Sequence, residues 1–277
     1  MDSVQRSLRR RPTVRRLLPA VISLISVGAI IVSVGSLLGP GAAFEPQALP
    51  QRRDPLLPDL IMTPIEDVNP GYSAGAPLLR FGATIANVGA GDFLAAARRP
   101  APWSDDWAVS QRVQEAGGGF TERMTPGDLV FGGDEHGHWH VVALESHRLA
   151  RVDTGEVVGQ VLKQGFCPYD TDVYRPDLPR APRAPFYPES GCGGRFAIAL
   201  RVGVSVGWGD EYAWDLIEQK VDLTGVPAGR YRIVQIADPF NLFEELDETN
   251  NETWVEIDFE MQGIIPSIKV VDRASSP

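Results

Sequence analysis

All four histidines of this 277-residue chain fall in one window, His136, His138, His140 and His147. If Gly132 to His140 is extended, alternate side chains share a face, so His136, His138 and His140 would converge on a single ion. Neutral imidazole suits copper or zinc far better than calcium or magnesium, and three protein ligands leave a coordination position open for water, oxygen or substrate. The pattern therefore reads as a catalytic metal site. A cupin-like cluster is a second reading, because Glu145 follows His138-Trp139-His140 at a suitable distance. That arrangement needs another histidine on a later strand, and none follows His147.

Such a site needs a scaffold, and the chain has length for a substantial core. The first stretch does not belong to it. Arg6, Arg9, Arg10, Arg11, Arg15 and Arg16 precede an apolar run from Leu17 to Leu38, the form of an export signal or an uncleaved signal anchor. Gly41-Ala42-Ala43 offers a cleavage site before Phe44. Residues 1–16 carry net +5, so with a total of −10 the remainder carries −15. A body this acidic speaks against nucleic-acid binding, which needs a basic surface. Export also places Cys167 and Cys192 in an oxidising compartment, where a disulfide between them is expected.

Along the chain, residues 44–57 read as a Pro-, Arg- and Gln-rich linker. A strand signal begins at Pro58-Asp59-Leu60-Ile61. The alternation Leu79, Phe81, Ala83, Ile85 predicts one half-buried strand ending in a turn at Asn87-Val88-Gly89. Arg230–Ile236 and Thr253–Phe259 alternate likewise. Residues 97–127 are irregular, with a short helix expected over Asp106–Glu115, and prolines make 168–188 a long loop. The architecture expected is mainly β: one antiparallel sandwich over 58–262, with long irregular loops, an inserted metal-binding strand and a C-terminal tail over 263–277.

Four motifs in order make the sequence resemble the lysyl oxidase family, in a bacterial-type form, from about Asp59 to Phe259. These are Asn87-Val88-Gly89-Ala90-Gly91-Asp92-Phe93-Leu94; His136-x-His138-x-His140 with His147 seven residues on; Lys163-Gln164-Gly165-Phe166-Cys167 with Asp170-Thr171; and Gly207-Trp208-Gly209-Asp210-Glu211-Tyr212 followed by Gln219, Asp222 and Leu223-Thr224-Gly225. The resemblance implies copper on the three alternating histidines and a lysine tyrosylquinone built from Lys163 and Tyr212. A quinone carbonyl is an electrophile for a substrate amine. The lysine must be deprotonated to add to the ring, which arginine cannot do. His147 would orient the site or move protons, and Asp170 and Asp210 are candidates for the general base.

The resemblance also implies calcium, which takes hard oxygen ligands. Glu245, Asp247, Asn250 and Asn251 would supply them, completed by Asp59 and the Leu60 carbonyl. Two features depart from the family pattern: few cysteines, and a longer loop between Cys167 and Cys192.

The function expected is an exported, secreted or cell-surface-anchored copper amine oxidase. It would convert primary amines, small or on peptidyl lysine, to aldehydes with ammonia and hydrogen peroxide, using oxygen. It would touch the membrane only through its N-terminal segment. A non-catalytic, metal-binding adhesion-type sandwich is the alternative, and a zinc hydrolase the third reading; neither requires Lys163 and Tyr212.

Overall fold

A computed structural model describes residues 54–132, 137–162, 165–216 and 219–275. The N-terminal arginines, the apolar run to Leu38 and the cleavage site lie outside these, as do His136 and Lys163. Among the described residues there are nineteen strands and a single helical turn, Glu189–Cys192, so the protein is mainly β, as expected. No helix among the described residues is long and apolar enough to cross a membrane.

The largest sheet is antiparallel, in the order Val157–Leu162, Glu145–Arg151, Gly229–Ala237, Glu252–Gln262, Ile265–Arg273. Its inner face carries Leu149, Tyr231, Ile233, Val255, Ile257 and Phe259, which pack on Leu79, Phe81 and Val221 from the facing sheet to form one core. That facing sheet runs Lys220–Asp222, Ala76–Phe81, Val68–Ser73. A second core, including Phe93, Val109, Phe166, Val204, Trp208 and Tyr212, lies between the remaining sheets.

Three expectations change. The run from Leu79 to Ala86 is two strands, Ala76–Phe81 and Ala83–Asn87, in different sheets. The chain turns between them at Gly82, whose N–H donates to the Asp67 carbonyl (3.0 Å) and whose carbonyl accepts from Gln235 Nε2 (2.9 Å). The helix expected within 106–115 is the strand Ala108–Glu115. Val109, Gln111 and Val113 are buried at two-residue spacing, and the strand is paired on both sides, by Phe93–Arg98 and Phe120–Met124. Pairing of this kind outweighs the mild helical tendency of Gln, Arg and Glu in that stretch. Finally, the expected tail contains the strand Ile265–Arg273, folded back on Glu252–Gln262 through a turn at Gly263.

The early Asn87–Leu94 motif proves to be a junction. Asn87 is fully buried; its Oδ1 accepts from the N–H groups of Asp59 and Gly89, and its Nδ2 donates to the carbonyls of Gly91 and Val204. Asp92 accepts from Val206 N, the Tyr187 hydroxyl and Gln114 Nε2. The motif therefore joins four other segments, those of Asp59, Gln114, Tyr187 and Val204–Val206, by satisfying buried polar groups.

Candidate metal and cofactor site

The histidine window folds as a hairpin. Leu129–Phe131 pairs with Trp139–Val141, and Gly132 N donates to the His138 carbonyl (3.0 Å) at the end of the ladder nearest the connection. The strand is shorter than expected, with His138 in the bend before it. Even so, His138 and His140 share a face, their ring centroids 4.8 Å apart. Trp139 points the other way, edge-on to Trp107 and Phe131, with the Arg99 guanidinium 4.5 Å above its ring. That packing fixes which face the imidazoles occupy. His140 is 1% exposed, while His138 reaches towards the surface, its Nδ1 3.6 Å from Glu189 Oε1.

The segment after Lys163 runs directly against this hairpin. Phe166 and Val141 exchange backbone hydrogen bonds of 2.7 and 3.0 Å. A Cβ on Gly165 would come 2.5 Å from His140 Cβ, so the absence of a side chain there permits the approach. Phe166 in turn stacks at 4.8 Å on Tyr212, which is 8% exposed at the end of Trp208–Tyr212. His138, His140, the segment flanking Lys163 and Tyr212 are thus joined through two residues. The disulfide Cys167–Cys192 is formed, with Cα atoms 5.9 Å apart. It ties this segment to the proline-rich loop and so brings in Glu189.

Two expected acids part company. Asp170 Oδ1 accepts from Ser205 N, and its Oδ2 accepts from Ser205 Oγ, Phe186 N and Tyr187 N. A carboxylate that takes one donor on Oδ1 and three on Oδ2 pins the loop to Ser205. Asp210 lies two residues before Tyr212 on the same strand face, 1% exposed, and accepts from Tyr169 N (3.1 Å). Burial, then the Asp210 and Glu189 carboxylates, push the Tyr169 phenol above its ordinary range. Tyr169 and Glu189 were not singled out by sequence. Nothing local marks which residues of a long loop return to the site, although the cysteine pairing gave the place of return.

His147 lies on Glu145–Arg151, its ring 5.1 Å from Phe81 and its Nε2 2.6 Å from Glu145 Oε1. Among the described residues no three His, Cys, Asp or Glu side chains stand together as a metal-holding group. Of the triad, the described members are the adjacent His138 and His140, a donor pair that fits copper in type.

The acidic segment assembles in part. Asn250 Nδ2 donates to Asp59 Oδ1 (2.9 Å), Asn251 Nδ2 to Glu245 Oε1 (3.3 Å), and the Leu60 amide to Glu245 Oε2. Leu60 thus meets Glu245 through its N–H. Asp247 is turned outward, its Oδ1 accepting from Thr249 N and Oγ1. Asn250 Oδ1 and Asn251 Oδ1 are buried without hydrogen-bond partners among the described residues, hard oxygens of the kind a cation would satisfy. Burial above all pushes Glu245 up to about 9 and the nearby Asp238, missed by sequence, up to about 6.

A family model described as lysyl oxidase matches residues 187–268. The resemblance seen in the motifs is thereby found independently over the later half of the body. The lysyl oxidase match spans Tyr212 and the acidic segment, and it begins at Tyr187, after the histidine window and Lys163. It does not bear out a bacterial-type form. The lysyl oxidase family is one of copper amine oxidases carrying lysine tyrosylquinone. No curated protein matches the chain.

Proposed function

We propose that this protein is an exported copper amine oxidase that oxidises primary amines, free or on peptidyl lysine, to aldehydes with release of ammonia and hydrogen peroxide. One observation carries the reading: the segment immediately following Lys163 lies between His140 and Tyr212, touching both. A metal-binding adhesion module or a zinc hydrolase gives no reason for that junction.

In this reading His136, His138 and His140 hold copper, and Lys163 joins Tyr212 to form the quinone. The quinone supplies an electrophilic carbonyl and an electron sink, reoxidised by oxygen. The chain's own residues do the rest. Phe166 and the second core surround Tyr212 with apolar side chains and keep water from its ring. Tyr169, Asp210 and Glu189 form an acidic side to the site, suited to drawing in an ammonium. Calcium at Asp59, Glu245, Asn250 and Asn251 would fix the start of Leu60–Met62 against the late loop. The N-terminal segment would deliver the body outside the cell, released or anchored.

The test is carbonyl labelling of the copper-loaded protein. Phenylhydrazine should label the wild type and fail to label Tyr212→Phe, and a cross-linked peptide containing Lys163 and Tyr212 should appear in its mass map. Copper-loaded protein with neither label nor cross-linked peptide would return the chain to the adhesion-module reading.

A further inference from the structure

Trp139 points away from the imidazoles, and its side of the hairpin borders a cavity of about 350 Å³. Arg99 is the buried part of the lining, at 6% exposed. Its guanidinium lies 4.5 Å from the centre of the Trp139 ring and 4.8 Å from that of Trp107. Nε donates to the Ala197 carbonyl (2.6 Å), Nη1 to that of Ser104 (3.0 Å) and Nη2 to that of Arg195 (2.5 Å). Two turns bring those carbonyls in. Ser104 N closes one on the Ala101 carbonyl, and Ala197 N closes the other on the Gly194 carbonyl, which also accepts from Trp139 Nε1.

The charge of Arg99 is left without a counter-ion. Taking a cation out of water is costly, and carbonyl dipoles and indole faces offset part of that cost while adding no negative charge. Among the described residues no carboxylate pairs with it, and one N–H on each terminal nitrogen has no acceptor. Arg195, exposed at the mouth, lies 5.1 Å from the Phe131 ring, and its side chain makes no hydrogen bond or ion pair among the described residues. Asp105, also exposed in the lining, pairs with neither arginine. Two arginines and one aspartate leave the lining at net +1, within a body that is strongly acidic. Trp103 and Phe196 complete the mouth at 86% and 77% exposed, and large aromatic surface left in water beside a cavity marks a place of binding.

We propose that this cavity binds a small arylalkyl carboxylate, its carboxylate on Arg99 and Arg195 and its ring among Trp103, Phe131 and Phe196. A single negative charge matches the net charge of the lining, and the planar fork of arginine takes a carboxylate through paired hydrogen bonds. A flat apolar body matches the aromatic walls. The volume falls near the lower end of the range for small-molecule sites, roughly 300–1,000 Å³, which suits one ring on a short tether. An aryl cation is disfavoured, because guanidinium groups already lie over Trp139 and Phe131. The site occupies the side of the hairpin opposite His138 and His140, and it requires neither copper nor a quinone.

The probe is 3-phenylpropionate, titrated calorimetrically into the full-length protein, with 3-phenylpropionamide as the neutral control. The acid should bind saturably, one per chain, with a Kd of about 1 mM or tighter, and the amide about tenfold more weakly or worse. Replacing Arg99 would release the two turns that it holds, so exposed variants carry the test. Arg195→Ala should keep the wild-type melting temperature and weaken the acid about tenfold, the effect of losing a hydrogen bond between charged groups. Trp103→Ala should also keep its melting temperature and lose about 3- to 10-fold, the worth of one aromatic contact. Absence of saturable binding, an amide that binds as tightly as the acid, or wild-type affinity in either variant overturns the proposal. None of these results bears on the amine oxidase reading.

Discussion

At the scale of single residues, the junction between His140 and Tyr212 makes firm demands. Tyr212→Phe removes the oxygen from which a quinone is built, and Lys163→Arg substitutes a group that stays protonated. Both should retain copper, measured by metal analysis, while peroxide release from primary amines disappears; full activity in either would exclude the quinone mechanism. His138→Ala should lose copper and, with it, the quinone. Gly165→Ala is subtler. Its methyl would sit 2.5 Å from His140 Cβ, so copper affinity should fall while the folded state persists, and unchanged copper titration would show that the hairpin yields. Site residues legible in the sequence were those whose chemistry is rare in this chain: four histidines, two cysteines, a lysine among arginines. Glu189 and Asp238 were legible only as two acids among thirty-six Asp and Glu, because their roles come from neighbours distant in sequence.

Among the elements, strands with clean alternation were readable, and Gly229–Ala237 and Glu252–Gln262 fall where the pattern placed them. What alternation cannot report is which sheet a strand joins, so the change of sheet at Gly82 was hidden inside an unbroken pattern. The missed strand Ala108–Glu115 owes its state to partners on both sides, which a local reading does not see. The disulfide, by contrast, was readable because chemistry rather than pattern dictates it. It closes a loop of 25 residues, and the double variant Cys167→Ala/Cys192→Ala should lose about 3 kcal/mol of unfolding free energy. Denaturant titration of the oxidised wild type and the variant measures this, and equal midpoints would contradict it.

For the whole molecule, pH and cations should act through the acidic cluster. Glu245 is raised from 4.5 to about 9 and Asp238 from 3.8 to about 6, burial being the largest cause of each. A carboxyl group whose folded value lies above its unfolded one favours folding while protonated. That contribution is complete below the unfolded values and is lost as pH rises through the folded ones. In chelator, the melting temperature should therefore fall between about pH 4 and pH 9, and calcium added at pH 8 should restore it by binding the ionised form. Glu245→Gln should flatten the upper part of that slope. A melting temperature indifferent to calcium at pH 8 would leave the cluster without a cation.

The tie between Cys167 and Cys192 also bears on how the protein survives proteases. Arg180 and Arg183 lie exposed in the loop that it closes, each followed by alanine, so trypsin has two cleavable bonds there. Cutting either one opens the ring but leaves the two fragments joined through the disulfide. The Asp170 hydrogen bonds and the disulfide still hold the two fragments together, with the histidine hairpin on one and Tyr212 on the other. A nicked molecule should run as one band without reductant; with it, protein lacking the Lys163–Tyr212 cross-link should run as two and cross-linked protein as one, and the cross-linked form should still release peroxide from amines.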